Sequence, residues 1–104
     1  MTVRQDTRLA EIMGAGEHDE AFFCNYQADP AYIPRYVASG VCISAIGPQG
    51  ELRGIELTEH PFFIATLFQP QLTSKATGKP HPLIVGYLRS TQRSRALSDP
   101  SIRD

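Results

Sequence analysis

The run Phe62-Phe63-Ile64-Ala65-Thr66-Leu67-Phe68 constrains this chain more than any other stretch, because it is unbroken, rich in aromatic and β-branched residues, and stops short of Pro70. Such a run reads as a strand buried on both faces, since a half-exposed strand would alternate with polar residues. The reading puts it at the centre of a sheet, with Phe62, Ile64 and Thr66 facing one layer of helices and Phe63, Ala65 and Leu67 the other. On a central strand, Phe63→Ala or Ile64→Ala would each cost roughly 2–5 kcal/mol. The end of a buried strand is a place where functional side chains are presented, and here it carries Gln69-Pro70-Gln71. The carboxamides of Gln69 and Gln71 donate and accept hydrogen bonds but do not titrate near neutral pH. They can hold a turn or a polar ligand, and they cannot relay a proton to a thiol.

Around this stretch the chain has 104 residues, 41% of them hydrophobic and 20% charged, with a formal net charge of -1. That balance describes one domain with a single core, residues 1–97, and a polar tail, 98–104. It gives no reason to expect nucleic acid or a membrane surface as a partner. No stretch approaches the ~18 apolar residues of a membrane span, and Met1-Thr2-Val3-Arg4-Gln5-Asp6 has no signal-peptide core, so the expected location is cytoplasmic. Cys24 and Cys42 form no close-spaced metal or redox pattern; they read as reduced thiols of the core, and no metal or cofactor is expected.

Taken in order, Thr7–Met13 alternates loosely before Gly14-Ala15-Gly16 and reads as a strand or extended segment. Ala21–Asp29 reads as a clearer strand, with Phe22, Cys24 and Tyr26 on one face and Phe23, Asn25 and Gln27 on the other. Asp29-Pro30 is a helix start, with Asp as N-cap and Pro at the first position, and Gly40 is its natural end. Tyr32, Ile33, Tyr36 and Val37 form the apolar stripe of that helix, while Pro34 means that it begins late or has an irregular first turn. Val41–Ile46 and Leu52–Leu57 flank Gly47-Pro48-Gln49-Gly50 as a β-hairpin. Thr73–His81 reads as a loop. Pro82–Arg95 reads as a helix with Leu83, Val85 and Leu88 inward and Ile84 and Tyr87 as further candidates. His60 reads as a turn histidine bonded to backbone, and His18 as part of a polar loop rather than a metal ligand. Arg89, Arg93 and Arg95 read as a solvated basic face.

Several motifs, in order, resemble the glutamine amidotransferase domain of the CTP synthases. Thr7-Arg8-Leu9-Ala10-Glu11-Ile12 resembles a strand of that family, and Tyr26-Gln27-Ala28-Asp29-Pro30-Ala31-Tyr32 is similar to its Tyr-Glu-Val-Asn-Pro-x-Tyr. Glu56-Leu57-Thr58-Glu59-His60-Pro61-Phe62-Phe63 resembles its Glu-Leu-x-x-His-Pro-(Phe/Tyr)-Phe, and Lys79-Pro80-His81-Pro82-Leu83 its x-Pro-x-Pro-Leu before the last helix. The resemblance covers about Thr7 to Leu88. It implies an α/β fold, a mixed sheet with flanking helices, corresponding to the C-terminal half of a class I amidotransferase domain. Where that family has Gln-Phe-His-Pro-Glu, supplying the His and Glu of a Cys-His-Glu triad, this chain has Leu67-Phe68-Gln69-Pro70-Gln71. The resemblance also places the nucleophilic cysteine upstream of every matched residue, and Ala21-Phe22-Phe23-Cys24-Asn25 stands where the family has a basic run that includes an arginine contacting glutamine.

The scaffold positions are therefore kept and the chemical ones replaced. The leading expectation is a catalytically inactive amidotransferase-like module with a regulatory or protein-interaction role. The alternative is a small-molecule binder or enzyme that reuses the old pocket, with Cys24, Asn25 and Gln27 beside Gln69 and Gln71 as its lining. A third, a split amidotransferase whose partner brings the cysteine, would still lack the base. Because the family pairs this segment with another half-domain, the expected assembly is a homodimer or a complex with a protein supplying that half.

Overall fold

The computed structural model describes residues 1–22 and 27–98. In chain order its elements are β1 (Thr2–Val3), α1 (Arg8–Met13), β2 (Gly16–Glu17), a 3₁₀ turn (Pro30–Tyr32), α2 (Ile33–Ala38), β3 (Cys42–Ile46), β4 (Leu52–Glu56), β5 (Ile64–Thr66), α3 (Pro70–Thr77) and α4 (Pro82–Ser98). The strands form one five-stranded sheet in the order β2-β1-β3-β4-β5. Every pairing among the described residues is antiparallel. Leu9 of α1 and Leu83 of α4 close over Val3, Ala45 and Phe68 to make the core, and the chain is α/β as expected.

Turn chemistry explains the elements that follow the sequence reading. Asp29 caps the turn at Pro30 through Oδ1, which accepts from the Ala31 N–H at 3.0 Å, and Pro34 marks the switch from the 3₁₀ turn into α2. The irregular first turn is thus real. Of the apolar stripe only Ile33 is partly covered; Tyr32, Tyr36 and Val37 are exposed. The hairpin of β3 and β4 closes through Gly47 N–H to Glu51 O at 2.8 Å. Gly47 leaves room there for the Glu51 side chain, which a Cβ at this position would displace.

Four expectations are corrected. Thr7–Met13 is no strand: Leu9, Ile12 and Met13 recur at helical spacing, and Thr7 Oγ1 accepts from the Ala10 N–H at 3.1 Å as the N-cap of α1. Gly14, at φ 89°, ends the helix. Thr73–His81 is mostly helix, because Pro70 presets the first turn of α3 and Gly78 at φ 71° terminates it. The element contains no fully buried residue, which removed the apolar signal. In α4 Leu83 is buried and Val85, Gly86 and Ser90 are half-buried, so Leu83 and Val85 face inward as expected, while Ile84, Tyr87 and Leu88 are exposed. Gly86 decides this face, since a Cβ there would meet Ile12 Cδ1 at 3.0 Å, so the helix lies close against α1. As for Ala21–Asp29, its flanks Ala21–Phe22 and Gln27–Asp29 are in no strand, and residues 23–26 lie outside the described residues, as does the tail from 99 onward.

The fourth correction concerns the apolar run itself. Only Ile64–Thr66 forms a strand, and among the described residues it pairs with β4 alone, at the edge of the sheet. Ile64 packs on the core, whereas Phe63 is 42% exposed and Ala65 is exposed. Among the described residues the strand buries Ile64 toward the core and leaves Ala65 exposed. Phe63→Ala is therefore expected to cost less than about 1 kcal/mol and Ile64→Ala about 1–2 kcal/mol, read from urea unfolding midpoints; a loss above about 3 kcal/mol at Phe63 would mean that its ring is covered in solution.

Candidate functional site

The turn after β5 is where the sequence places its candidate residues, and the structure separates them. Gln69 is the residue before α3, anchored by its own N–H to Ala21 O at 2.8 Å. Its carboxamide makes no cap bond, and its Oε1 is buried without a hydrogen-bond partner among the described residues. Gln71, one residue into α3, is exposed and does not join it. Gln27 lies elsewhere, on the rim of a hollow of about 320 Å³ over β4 and β5, where its Oε1 accepts from Arg53 at 3.3 Å. Neither Gln69 nor Gln71 lines that hollow. Cys24 and Asn25 lie outside the described residues.

A second group of residues, missed as a site in the sequence, sits behind this turn. His81, 2% exposed, donates from Nε2 to Glu20 Oε1 at 2.6 Å, and Thr73 Oγ1 donates to the other Glu20 oxygen. Nδ1 of His81 accepts from the Leu83 N–H at 3.0 Å, so the ring is the N-cap of α4. That acceptor role assigns the ring proton to Nε2. The His81 backbone N–H is in turn held by Ser74 Oγ at 2.9 Å. With both ring nitrogens engaged and the ring enclosed against Phe68, this imidazole ties α3, α4 and the 20-loop together and offers no lone pair to a substrate. Serine, threonine and acidic caps are the usual helix-start signals, and Glu20 read as part of a polar loop, so no pattern in the chain pointed to the pair.

Glu56 was missed for the same reason. Although it ends β4, it is only 3% exposed, and its two oxygens accept from the N–H groups of Arg8 at 2.8 Å and Leu9 at 3.2 Å. A carboxylate at a helix N-terminus satisfies donors that the helix itself cannot. It also faces the thiol of Cys42, whose pKa is raised by burial first and by the Glu56 charge second. At the hairpin, Glu51 is held below the usual carboxylate range by its own N–H, by that of Gln49 and by Arg53 at 3.1 Å, while partial burial acts the other way. Arg53 also lies 3.9 Å over the Phe22 ring.

The other histidines behave as turn residues. His60 Nδ1 accepts from the Phe62 N–H at 3.0 Å, as expected, and a His18 ring nitrogen lies 2.7 Å from Gly14 O. Among the described residues no group of His, Cys, Asp or Glu is arranged to hold a metal ion, and no helix is long and apolar enough to cross a membrane.

No protein-family model matches the chain. It is similar to the CTP synthase of Synechococcus sp. (strain JA-3-3Ab), 38% identical over 92 residues that make up 88% of this chain and 17% of that protein. It is also similar to the CTP synthase of Thermobifida fusca (strain YX), 35% identical over 98 residues, 90% of this chain and 18% of that protein. The chain thus spans less than a fifth of the length of these relatives. Among solved structures it resembles the glutaminase domain of Trypanosoma brucei CTPS with bound acivicin, with a TM-score of 0.77 and 22% identity, over 88% of this chain and 37% of that one. The chain is a homologue of the glutaminase domain of CTP synthases, with the corresponding part of the glutamine amidotransferase fold.

Proposed function

We propose that this chain is a catalytically inactive glutamine amidotransferase-like module that works through protein contacts, in a regulatory or scaffolding role. The observation that carries this is the chemistry at the turn after β5. Gln69 and Gln71, at the positions where the resemblance places the triad base and its carboxylate, are neutral amides, and the buried Gln69 Oε1 has no partner among the described residues. The nearby imidazole, His81, has both nitrogens occupied. A glutaminase thiol would find no group here to take its proton. The same reading places the protein in the cytoplasm.

The contact half of the proposal is supported by the edge of β5, unpaired among the described residues, and the side chains beside it. Phe63, Ile84 and Tyr87, all exposed, line an apolar hollow of about 340 Å³ between this edge and α4, next to exposed Leu88. Sheet edges and apolar patches of this kind recruit other chains, so a homodimer, or a protein that supplies the other half of the fold, is the proposed assembly. The hollow over β4 and β5, with Gln27 and Arg53 at its rim, favours a small-molecule binder as the second reading.

The test is ammonia release from glutamine by the purified chain, run alongside light scattering on a sizing column. No ammonia above a protein-free control is expected, and none from the Gln69→His, Gln71→Glu double variant, together with a mass above that of one chain. Ammonia that disappears on changing Cys24 or Cys42 to Ala would overturn the inactive reading. A stable monomer would overturn the homodimer and leave a separate partner protein.

A further inference from the structure

A groove of about 650 Å³ runs between α1 and α4. Its floor is set by Gly86, whose lack of a side chain lets α4 lie against Ile12. Among the described residues three arginines reach its walls, Arg8 from α1 and Arg89 and Arg93 from α4, against one carboxylate, Glu11. In a chain whose net charge is -1, this is a local excess of positive charge. Arg8 is positioned by the 60-turn: its Nη1 donates to His60 O at 3.0 Å and to Pro61 O at 2.6 Å, with the guanidinium 6.0 Å from the Phe62 ring. Arg89 and Arg93 have no carboxylate within ion-pair distance among the described residues.

From this arrangement we propose that the groove binds an acidic peptide segment of a partner protein. The inference rests on the reading of the chain as an interaction module and names the chemistry of one partner. Guanidinium forks recognise carboxylates bidentately and with directional specificity. Arg89 and Arg93 stand one helical turn apart, roughly 5–6 Å between Cβ atoms, so the charges are spread along the groove rather than converged on one point. An extended chain carrying several carboxylates matches that spacing better than a compact anion. The walls between the charges, Phe62, Ile12 and Val85 with neighbouring prolines, suit apolar side chains interleaved with the acidic ones. The groove volume lies within the range of about 300–1,000 Å³ that ligand sites occupy.

The test is fluorescence anisotropy of a labelled peptide of alternating glutamate and leucine, titrated with the full chain at low salt. Saturable binding is expected, weakened about tenfold or more by the Arg89→Glu, Arg93→Glu double variant, lost with the glutamine counterpart of the peptide, and reduced by salt. Both arginines are exposed, so the double variant is expected to fold; its circular dichroism checks this. No saturable binding, or equal binding by wild type and folded variant, would overturn the proposal. Binding of inorganic pyrophosphate or of a short oligothymidylate through the same arginines, without peptide binding, would overturn it in favour of a phosphate site. Ammonia release measured on the same samples separates the two readings: its appearance would sink the inactive-module proposal without changing the anisotropy, and silent peptide titrations without ammonia would sink the groove alone.

Discussion

His81→Ala is expected to lower the free energy of unfolding by about 3–5 kcal/mol, because removing one partner of a buried pair strands the other. The stranded group is Glu20, whose side chain is 6% exposed and which would keep only the Thr73 hydroxyl. The same change deletes the N-cap of α4 and empties space against Phe68. For a domain whose total stability is of order 5–15 kcal/mol, that is a large share. The measurement is the urea midpoint and slope, with Glu20→Gln as the companion variant: an amide there can still accept from Nε2–H, so its loss should stay near 1 kcal/mol. If both variants lost the same small amount, water would already reach the pair.

Glu56→Ala is expected to cost about 3 kcal/mol, for a related reason with a different geometry. Two amide donors, from Arg8 and Leu9, lose a charged acceptor in a place where water cannot replace it. Hydrogen bonds to charged groups contribute about 1.5–3 kcal/mol each, and the helix N-terminus loses its compensating charge as well. Glu56→Gln should recover roughly half of this, since one oxygen remains. Glu59→Ala, at an exposed position in the following turn, is the control and should lie within about 0.5 kcal/mol of wild type. Equal losses for Glu56→Ala and Glu59→Ala would mean that the cap of α1 is dispensable.

These two residues show where sequence reading stops. A Glu at the end of a strand and a His before a proline carry no local signature of burial. The signal lies in partners far along the chain, Glu56 with Arg8 and His81 with Glu20, and only the fold brings those together. The run Phe62–Phe68 misled for a related reason. Its composition says that it is apolar, but whether a strand is central or at an edge depends on what lies beyond it, and beyond β5 the described residues place no further strand. The candidate site was legible only in part: the amides Gln69 and Gln71 stand out in the chain, but their separation, one anchored and half-buried and the other exposed, does not.

Short-range chemistry settles what is legible in the chain: the Asp29-Pro30 start, the Gly47–Gly50 hairpin turn, the helix after Pro82, and the ordered motifs of the amidotransferase family. Each depends on groups a few residues apart, where backbone geometry and nearby side chains leave few alternatives. Tertiary structure decided the rest. It made Thr7–Met13 a helix by adding the Glu56 carboxylate to the Thr7 cap, and it turned Gly86 rather than Leu88 toward α1, where a Cβ would press on the end of the Ile12 side chain. Those choices turn on contacts between distant segments and on the space left between them, quantities that a chain read in one dimension does not contain.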